Sequence, residues 1–324
     1  MRARVWGMMV LALVAVAAAA LALGPVSLAP REVWGALWGA GDPNAAAIVR
    51  TLRLPRIALG LVVGAGLGMS GAALQATLRN ALAEPYLLGV SGGAAVGAVL
   101  AVALHVAGPS TLPLAAFAGA TVAVLLVLLV ARASGSGGDS RVLVMAGVVV
   151  GAFANAAIVV MLADAPAETV RGALWWMMGS LGDASWHGAA WVGVYVAIGA
   201  ALLLLWGREI DVLSLGDDAA AALGVDADRA SRRVFVVASL LAAATVAGAG
   251  LIGFVGLVVP AIARALGARH SRAVTCAAAI VGAMVVVGAD LVARSAMAPA
   301  ELPLGAVTAL VGVPFFLLRL RRIA

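Results

Sequence analysis

This chain of 324 residues is 64% hydrophobic and only 11% charged, whereas soluble domains carry roughly 25% charged residues. So few charges cannot cover a water-facing surface, so most of the chain is expected to lie in lipid. All 21 basic residues are arginine, and without lysine the chain can form neither a P-loop for ATP nor a Schiff base. The net charge of +6 does not indicate nucleic acid, because the arginines lie between apolar runs and mark membrane topology.

Cysteine and histidine give no sign of a metal or redox site. The single cysteine, Cys276, lies in an apolar run and is expected to be a small core residue. The three histidines, His105, His187 and His270, are scattered along the chain rather than spaced as metal ligands. We therefore expect no metal and no cofactor.

Ten apolar runs follow one another along the chain, and a spanning helix needs about 20 apolar residues. Nine are clear candidates: 5–23, 57–78, 91–107, 112–131, 142–162, 188–206, 234–248, 273–292 and 304–318. The run 252–266 is too short to cross straight, and we expect it to complete a crossing with the glycine-rich stretch before it. The sequence thus predicts an all-α polytopic membrane protein, one domain over 1–324, with about ten transmembrane helices and segments broken by glycine and proline.

The arginines predict the orientation of these crossings. An even number of crossings places both termini on one side, and a cytoplasmic N-terminus puts 15 of the 21 arginines in the cytoplasm. The remaining six lie outside: Arg31, Arg50, Arg53, Arg56, Arg171 and Arg294. The first run could instead be a signal peptide with Ala20–Ala22 as its cleavage site, but its removal would spoil the even count.

The longest charged segment, 207–233, lies on the cytoplasmic side of this topology. Within it, the run from Asp217 to Gly224 predicts a short helix. Asp217 and Asp218 begin the helix, where its dipole favours acidic residues, and Gly224 ends it. The segment is either a solvated loop or a docking helix for a cytoplasmic partner.

Two helices carry small residues at four-residue spacing: Gly60, Gly64, Gly68 and Ala72 on one, and Gly93 and Gly97 on the other. This spacing places the small residues on one face and predicts close helix crossing. Such packing is common in membrane proteins and identifies no particular class.

Two segments combine glycine and proline at membrane depth. The first contains Glu84 and Pro85 and continues to Gly93, and the second is the stretch 248–260. Non-helical backbone is tolerated there only when protein or a water-filled cavity surrounds it, so both are candidate pore linings. They fall in corresponding halves of the chain, which hints at an internal repeat.

Ionisable residues within the spans are scarce. Asp290 is the main one, and Arg294, four residues later, can form a helix ion pair with it near the outer end. A proton- or sodium-coupled carrier would be expected to contain more buried acids or histidines. The scarcity of ionisable residues within the spans argues against a secondary carrier. A membrane scaffold that transports nothing would not need spans broken by glycine and proline.

Seven sequence blocks resemble one known family. They are LRLPR (52–56), SGAALQ (70–75), RNALAEP (79–85), LGVS (88–91), WMMGSL (176–181), GFVGLVVP (253–260) and ELPLG (301–305). In this order they resemble the permease subunits of iron-chelate, haem and cobalamin importers, the large-bundle (type II) ABC importers. Two positions depart from the family pattern: the family usually has proline where this chain has Ala81, and often has histidine where it has Ala261.

The resemblance implies ten helices per subunit and two permeases, expected to be two copies of this chain, around a central path in a bacterial inner membrane. Two cytoplasmic ATP-binding subunits would lie below and a periplasmic substrate-binding protein above. The absence of lysine fits this arrangement, because the energy must come from another chain.

The resemblance also implies roles for individual residues. Docking of the binding protein would involve Arg53, Arg56 and Arg294. The inner gate would comprise Asn80, Ala81, Leu82, Asp139 and Ser140. Coupling to the ATPase would use Asp217, Asp218, Leu223 and Gly224. The alternative for the three arginines is that they snorkel at a lipid interface.

The prediction of the transported ligand depends on a soft aromatic surface on the outer side. Its residues are Trp175, Trp176, Met177, Met178 and His187. Such a surface would accept a planar apolar macrocycle, so we expect haem first, then a ferric siderophore and then cobalamin. Alternatively, these aromatic residues form an interfacial belt.

Overall fold

The computed structural model describes residues 1–135 and 138–320, the last three of these by their backbone alone, and this part of the chain is helical without strands. Seven of its apolar helices are long enough to cross a membrane and three more are shorter. The predicted all-α polytopic class with about ten crossings is confirmed. Arg321 and Arg322, used to predict the topology, lie outside the described residues.

The described residues of the first half form seven α-helices: α1 (Ala3–Ala22), α2 (Pro30–Trp38), α3 (Pro43–Ala47), α4 (Leu54–Thr77), α5 (Val90–Ala103), α6 (Thr111–Ala133) and α7 (Ser140–Leu162). A π-helical turn, Ile48–Arg53, joins α3 to α4. Local sequence signals determine where several of these helices begin. The Asp42 side chain caps α3, whose first residue is Pro43, and Asp139 caps α7.

The second half, as far as residue 320, forms eight: α8 (Ala167–Met177), α9 (Trp186–Leu205), α10 (Gly207–Leu213), α11 (Asp217–Ala222), α12 (Ala227–Ala249), α13 (Val255–Ala265), α14 (Ser271–Ser295) and α15 (Leu304–Leu320). The short helix predicted from Asp217 is α11, and Gly224 follows it with a left-handed φ of 76°. The short apolar run predicted at 252–266 is α13, which contains Pro260.

Helix α4 forms the centre of the bundle. Most of its apolar stretch is buried, whereas α1 is largely exposed to the surroundings. α4 packs against α14, α12, α9 and α13, while α5, α6 and α7 pack on one another. Arg56, in the first turn of α4, and Arg79, in the loop just after its last residue, therefore lie at opposite ends of the bundle.

Close packing of α4 rests on its glycines, as the four-residue spacing predicts. A Cβ at Gly64 would overlap the carbonyl group of Gly282, and one at Gly68 would overlap that of Ala278. The backbones of α4 and α14 are therefore in direct contact. The second glycine stripe, on α5, packs in the same way on α6.

Candidate functional site

The bundle carries an ionic cluster at one end, here called the Arg56 end. The Arg56 guanidinium group donates to both oxygens of Glu301, at 2.8 Å each. Its Nε also donates to Asp290 Oδ1 at 2.9 Å. This geometry arises because α14 ends beside the start of α4, and the segment after α14 brings Glu301 back to it. Arg56 therefore joins three segments of the chain.

Arg53 and Arg294 lie at the same end and hold the last turn of α1. Arg53 donates to the carbonyl oxygens of Leu21, Ala22 and Val26, and Arg294 donates to that of Ala20. The carbonyls of Ala20, Leu21 and Ala22 form the negative end of the α1 dipole, so the two cations stabilise it. The ion pair predicted within α14 is present, with Arg294 Nε 3.4 Å from Asp290 Oδ2.

The three arginines predicted for docking are thus brought together, but they do not extend into lipid. Arg53 and Arg294 are each 4% exposed, which rules out snorkelling as the account of these two residues. Their guanidinium groups already bind groups within the chain. Direct contact with a partner would require these internal bonds to break.

Glu301 is a charged member of the cluster that the sequence did not single out. Its side chain is 33% exposed, and the hydrogen bonds from Arg56 hold the pKa of its carboxyl below the usual value. It therefore stays ionised and accessible at this end of the bundle. It opens the ELPLG block, but nothing in that block pairs it with an arginine 245 residues earlier.

Arg79 organises the opposite end, here called the Arg79 end. Its Nη2 donates to Asp217 Oδ2 at 2.7 Å and to Ser140 Oγ at 3.2 Å. Asn80, the next residue, accepts from the backbone N–H of Leu82 at 2.9 Å and shapes the loop. One side chain thus links the two predicted gate loops and the start of the predicted coupling helix. The sequence reasoning missed this role of Arg79, although its position next to Asn80 was the available signal.

The other predicted residues of this end are placed as follows. Ala81 and Leu82 are exposed at the tip of their loop, and Asp139 accepts from the backbone N–H of Arg141 as the cap of α7. Asp218 lies in the exposed first turn of α11. Leu223, the residue after α11, is 62% exposed. An apolar side chain exposed among charged residues is consistent with a surface that a partner covers.

The two broken segments meet at Glu84, which is 5% exposed. Its carboxyl group accepts from the backbone N–H groups of Phe254, Gly256 and Leu257. The amide of Gln75 donates to the carbonyl oxygens of the last two, at 3.2 and 3.1 Å. The loop after α4 thus satisfies free N–H groups at the start of α13, and Gln75 of α4 satisfies the carbonyl of Gly256, to which Pro260 has no N–H to donate.

The predicted ligand-path residues lie around the end of α8. Trp175 is 58% exposed, whereas Trp176 is half-buried against the core. The carbonyl of Met178 accepts from Gly305 N at 3.1 Å, so this segment packs on the start of α15. Met177 is half-buried beside it, and His187 is exposed in the first turn of α9. The described residues hold no cluster of three or more metal-ligating side chains.

The chain begins at the Arg79 end. Met1 and Arg2 line a cavity together with Gly267 and His270, in the turn between α13 and α14. Arg269, in the same turn, shares a second cavity with Arg79. The N-terminus, the α13–α14 turn and the segment around α11 therefore lie at one end of the bundle.

These helices, broken at two glycine-rich segments and capped by polar clusters at both ends, define a multi-pass membrane permease. The FecCD transport family matches residues 11–322, and the chain belongs to this family. The family resemblance inferred from the sequence blocks is thereby confirmed.

Individual relatives agree with this assignment. The chain is 42% identical over 286 residues to the cobalamin import system permease protein of Halobacterium salinarum, covering 87% of this chain and 75% of the relative. It is 36% identical over 322 residues to the hemin transport system permease protein of Yersinia pestis, covering 96% and 93%. A solved structure described as an inward-facing conformation of a metal-chelate type ABC transporter has a TM-score of 0.88 at 29% identity, covering 98% of both chains.

The chain is therefore a permease subunit of an ABC importer rather than the ATPase itself. A permease of this kind implies an ATP-binding subunit and a substrate-binding protein as partners. The alternatives of a secondary carrier and a membrane scaffold do not match these findings.

Proposed function

We propose that two copies of this chain form the path of an importer that moves haem or another iron chelate from the periplasm to the cytoplasm, with cobalamin as the alternative ligand. The Arg79 junction carries this proposal. Arg79 binds both Asp217 at the start of α11 and Ser140 at the start of α7. Movement of α11 by an ATPase would therefore act on both gate loops through one side chain.

Two ATP-binding subunits would dock at the Arg79 end and supply the hydrolysis. The surface offered to each consists of the exposed first turn of α11, with Asp217 and Asp218, and the exposed Leu223 that follows. Gly224 ends the helix and lets the chain turn back toward α12. The N-terminus lies at this end, which supports a cytoplasmic N-terminus in a bacterial inner membrane, and an even number of crossings returns the C-terminus there.

The substrate-binding protein would dock at the Arg56 end. Arg53 and Arg294 would hold the end of α1 in place, because their guanidinium groups bind its carbonyls. Arg56 would contact the partner by exchange: an acidic side chain of the binding protein would take the place of Glu301, which is the more exposed carboxylate on Arg56. Bidentate arginine–carboxylate contacts are favourable enough for such an exchange.

Haem is the first candidate ligand, supported by the exposed Trp175 and the half-buried Trp176 and Met177 near the end of α8. Cobalamin is the second candidate, favoured by the 42% identity to the Halobacterium salinarum permease named for cobalamin import. A ferric siderophore remains a third ligand to compare, since an achromobactin permease of Dickeya dadantii is 38% identical over 309 residues.

The test is uptake by proteoliposomes that contain this chain, its ATP-binding subunit and its binding protein. We expect ATP-dependent uptake of haem above that of cobalamin or a ferric siderophore, and none without the ATP-binding subunit. A preference for cobalamin would change the proposed ligand but would leave the proposed importer function intact. Uptake that needs no ATP-binding subunit and follows an ion gradient would contradict the proposed function.

A further inference from the structure

Helix α2 presents two exposed tryptophans at the Arg56 end of the bundle. Trp34 is 65% exposed and Trp38 is 72% exposed. The two residues are four positions apart and so lie on one face of the helix. Their rings pack edge to face, with the centroids 5.9 Å apart. Large aromatic side chains that are exposed together mark a surface that another molecule covers.

The opposite face of α2 is fixed to the rest of the chain. Ala36 is buried in a small core with Ala45 of α3 and Val49 of the π-helical turn. At the end of α2, Arg50 Nη2 donates to the carbonyl oxygen of Leu37 at 2.7 Å, where a cation also stabilises the helix dipole. The tryptophan face therefore cannot turn toward the core without breaking these contacts.

The tryptophan face continues a surface that lies in lipid. The 20 residues of α1 span about 30 Å, which is the thickness of the hydrocarbon core of a bilayer. α1 is apolar and largely exposed, so lipid covers it in a membrane permease. Exposed apolar side chains continue past its end at Leu23 and Val26, and α2 contacts both α1 and the π-helical turn. α2 therefore lies where the lipid-covered surface of α1 reaches the headgroups.

The indole groups have the chemistry that this depth requires. Among the residues that the structure describes, neither indole N–H has a hydrogen-bond acceptor. An apolar ring with a free donor fits the membrane–water interface, where the ring packs on the upper acyl chains and the N–H donates to lipid oxygens. The first turn of α2 is polar, with Arg31 exposed and Glu32 accepting from the backbone N–H of Ala29 at 2.7 Å. That turn can stay among headgroups and water.

We propose that α2 is an interfacial anchor, with Trp34 and Trp38 inserted between the phospholipid headgroups of the leaflet at the Arg56 end. The partner is the lipid surface, not the substrate-binding protein or a second copy of the chain. Because α2 packs on the π-helical turn that leads into α4, the anchor sets the depth at which Arg56 lies. The inference depends neither on the transported ligand nor on which side of the membrane this end faces.

The test compares the tryptophan fluorescence of the wild-type chain with that of Trp34→Phe/Trp38→Phe in phosphatidylcholine vesicles. The difference between the two spectra gives the emission of this pair. The lipids carry bromine either near the headgroup end or near the tail end of their acyl chains, because bromine quenches tryptophan on contact. We expect the pair to lose more emission to bromine near the headgroups than to bromine near the tails.

Trp176→Phe is the matched control, because Trp176 is half-buried against the core. The emission that this variant lacks should be quenched less by either lipid. The melting temperature of each variant shows that it is folded, and the affinity of the substrate-binding protein is measured in parallel.

Two results would overturn the proposal. The first is a pair that neither brominated lipid quenches. Iodide quenching would then place the pair in water, and a loss of affinity for the binding protein in the double variant would assign the face to that protein. The second is stronger quenching from the tails than from the headgroups, which would place the pair inside the hydrocarbon core instead of at the interface.

Discussion

Replacing Arg56 by glutamine removes a guanidinium group that contacts both Asp290 and Glu301. The Asp290 side chain is only 4% exposed, so it would keep a buried charge with Arg294, 3.4 Å away, as its remaining ion-pair partner. Breaking a buried pair by removing one partner costs about 3–5 kcal/mol. Glu301, which is 33% exposed, can turn toward water and adds only about 0–1 kcal/mol.

The measurement is the free energy of unfolding in mixed micelles, with Glu301→Gln and Asp290→Asn as companion variants. We expect Glu301→Gln to lower stability by only about 1 kcal/mol. The double variant Arg56→Gln/Asp290→Asn should recover much of the loss, because the carboxylate that it leaves without Arg56, Glu301, is exposed enough to turn toward water, and no buried carboxylate loses its partner. An Arg56→Gln chain within about 1 kcal/mol of the wild type would refute the reasoning. A double variant as unstable as the sum of both single changes would refute it as well.

Two further outcomes are expected. Arg79→Ala should separate ATP hydrolysis by the partner from uptake, measured in the same proteoliposomes, while the exposed Arg229→Ala should not. Equal uptake per ATP in both variants would contradict the role of the Arg79 junction. Gly64→Ala should destabilise the chain by about 1–3 kcal/mol through overlap with α14. Gly7→Ala, with no atom within 4 Å of its Cβ, should not lower the melting temperature, because alanine also favours the helix.

Much of the fold follows from local patterns in the sequence. Apolar length predicts the crossings, and the spacing of Gly64 and Gly68 predicts the close contact with a neighbouring helix. Asp217 and Gly224 correctly predict both ends of α11. Each of these signals acts over a few residues, so it can be read without knowing what lies across the bundle.

The short helices at the ends of the bundle are harder to predict. The run 41–44 has the composition of a turn, yet in the structure Asp42 and Pro43 begin α3. The same residue types favour a turn and a helix start, because both need a side-chain acceptor followed by a restricted φ. The choice between a turn and a helix start here depends on the packing of α3 against α2 and against the π-helical turn.

The ionic clusters show the limit most clearly. Arg56 and Glu301 lie 245 residues apart, and no spacing rule connects them. Arg79 looks like an ordinary topology signal, although its positive φ of 49° and its contacts with Asp217 and Ser140 give it a central position. The sequence predicts that Arg53 and Arg294 contact a partner. It cannot show that their guanidinium groups already donate hydrogen bonds to carbonyl groups of α1.

The glycine contact between α4 and α14 restricts how the path can open. With Gly64 against Gly282 and Arg56 against Asp290, the two helices are joined both along their length and at one end. Sliding or spreading of this pair would break many contacts at once, so we expect it to move as one rigid rod. The displacement that admits a ligand must then be absorbed at less constrained joints, such as the loop that carries Asn80 and the glycine-rich break before α13.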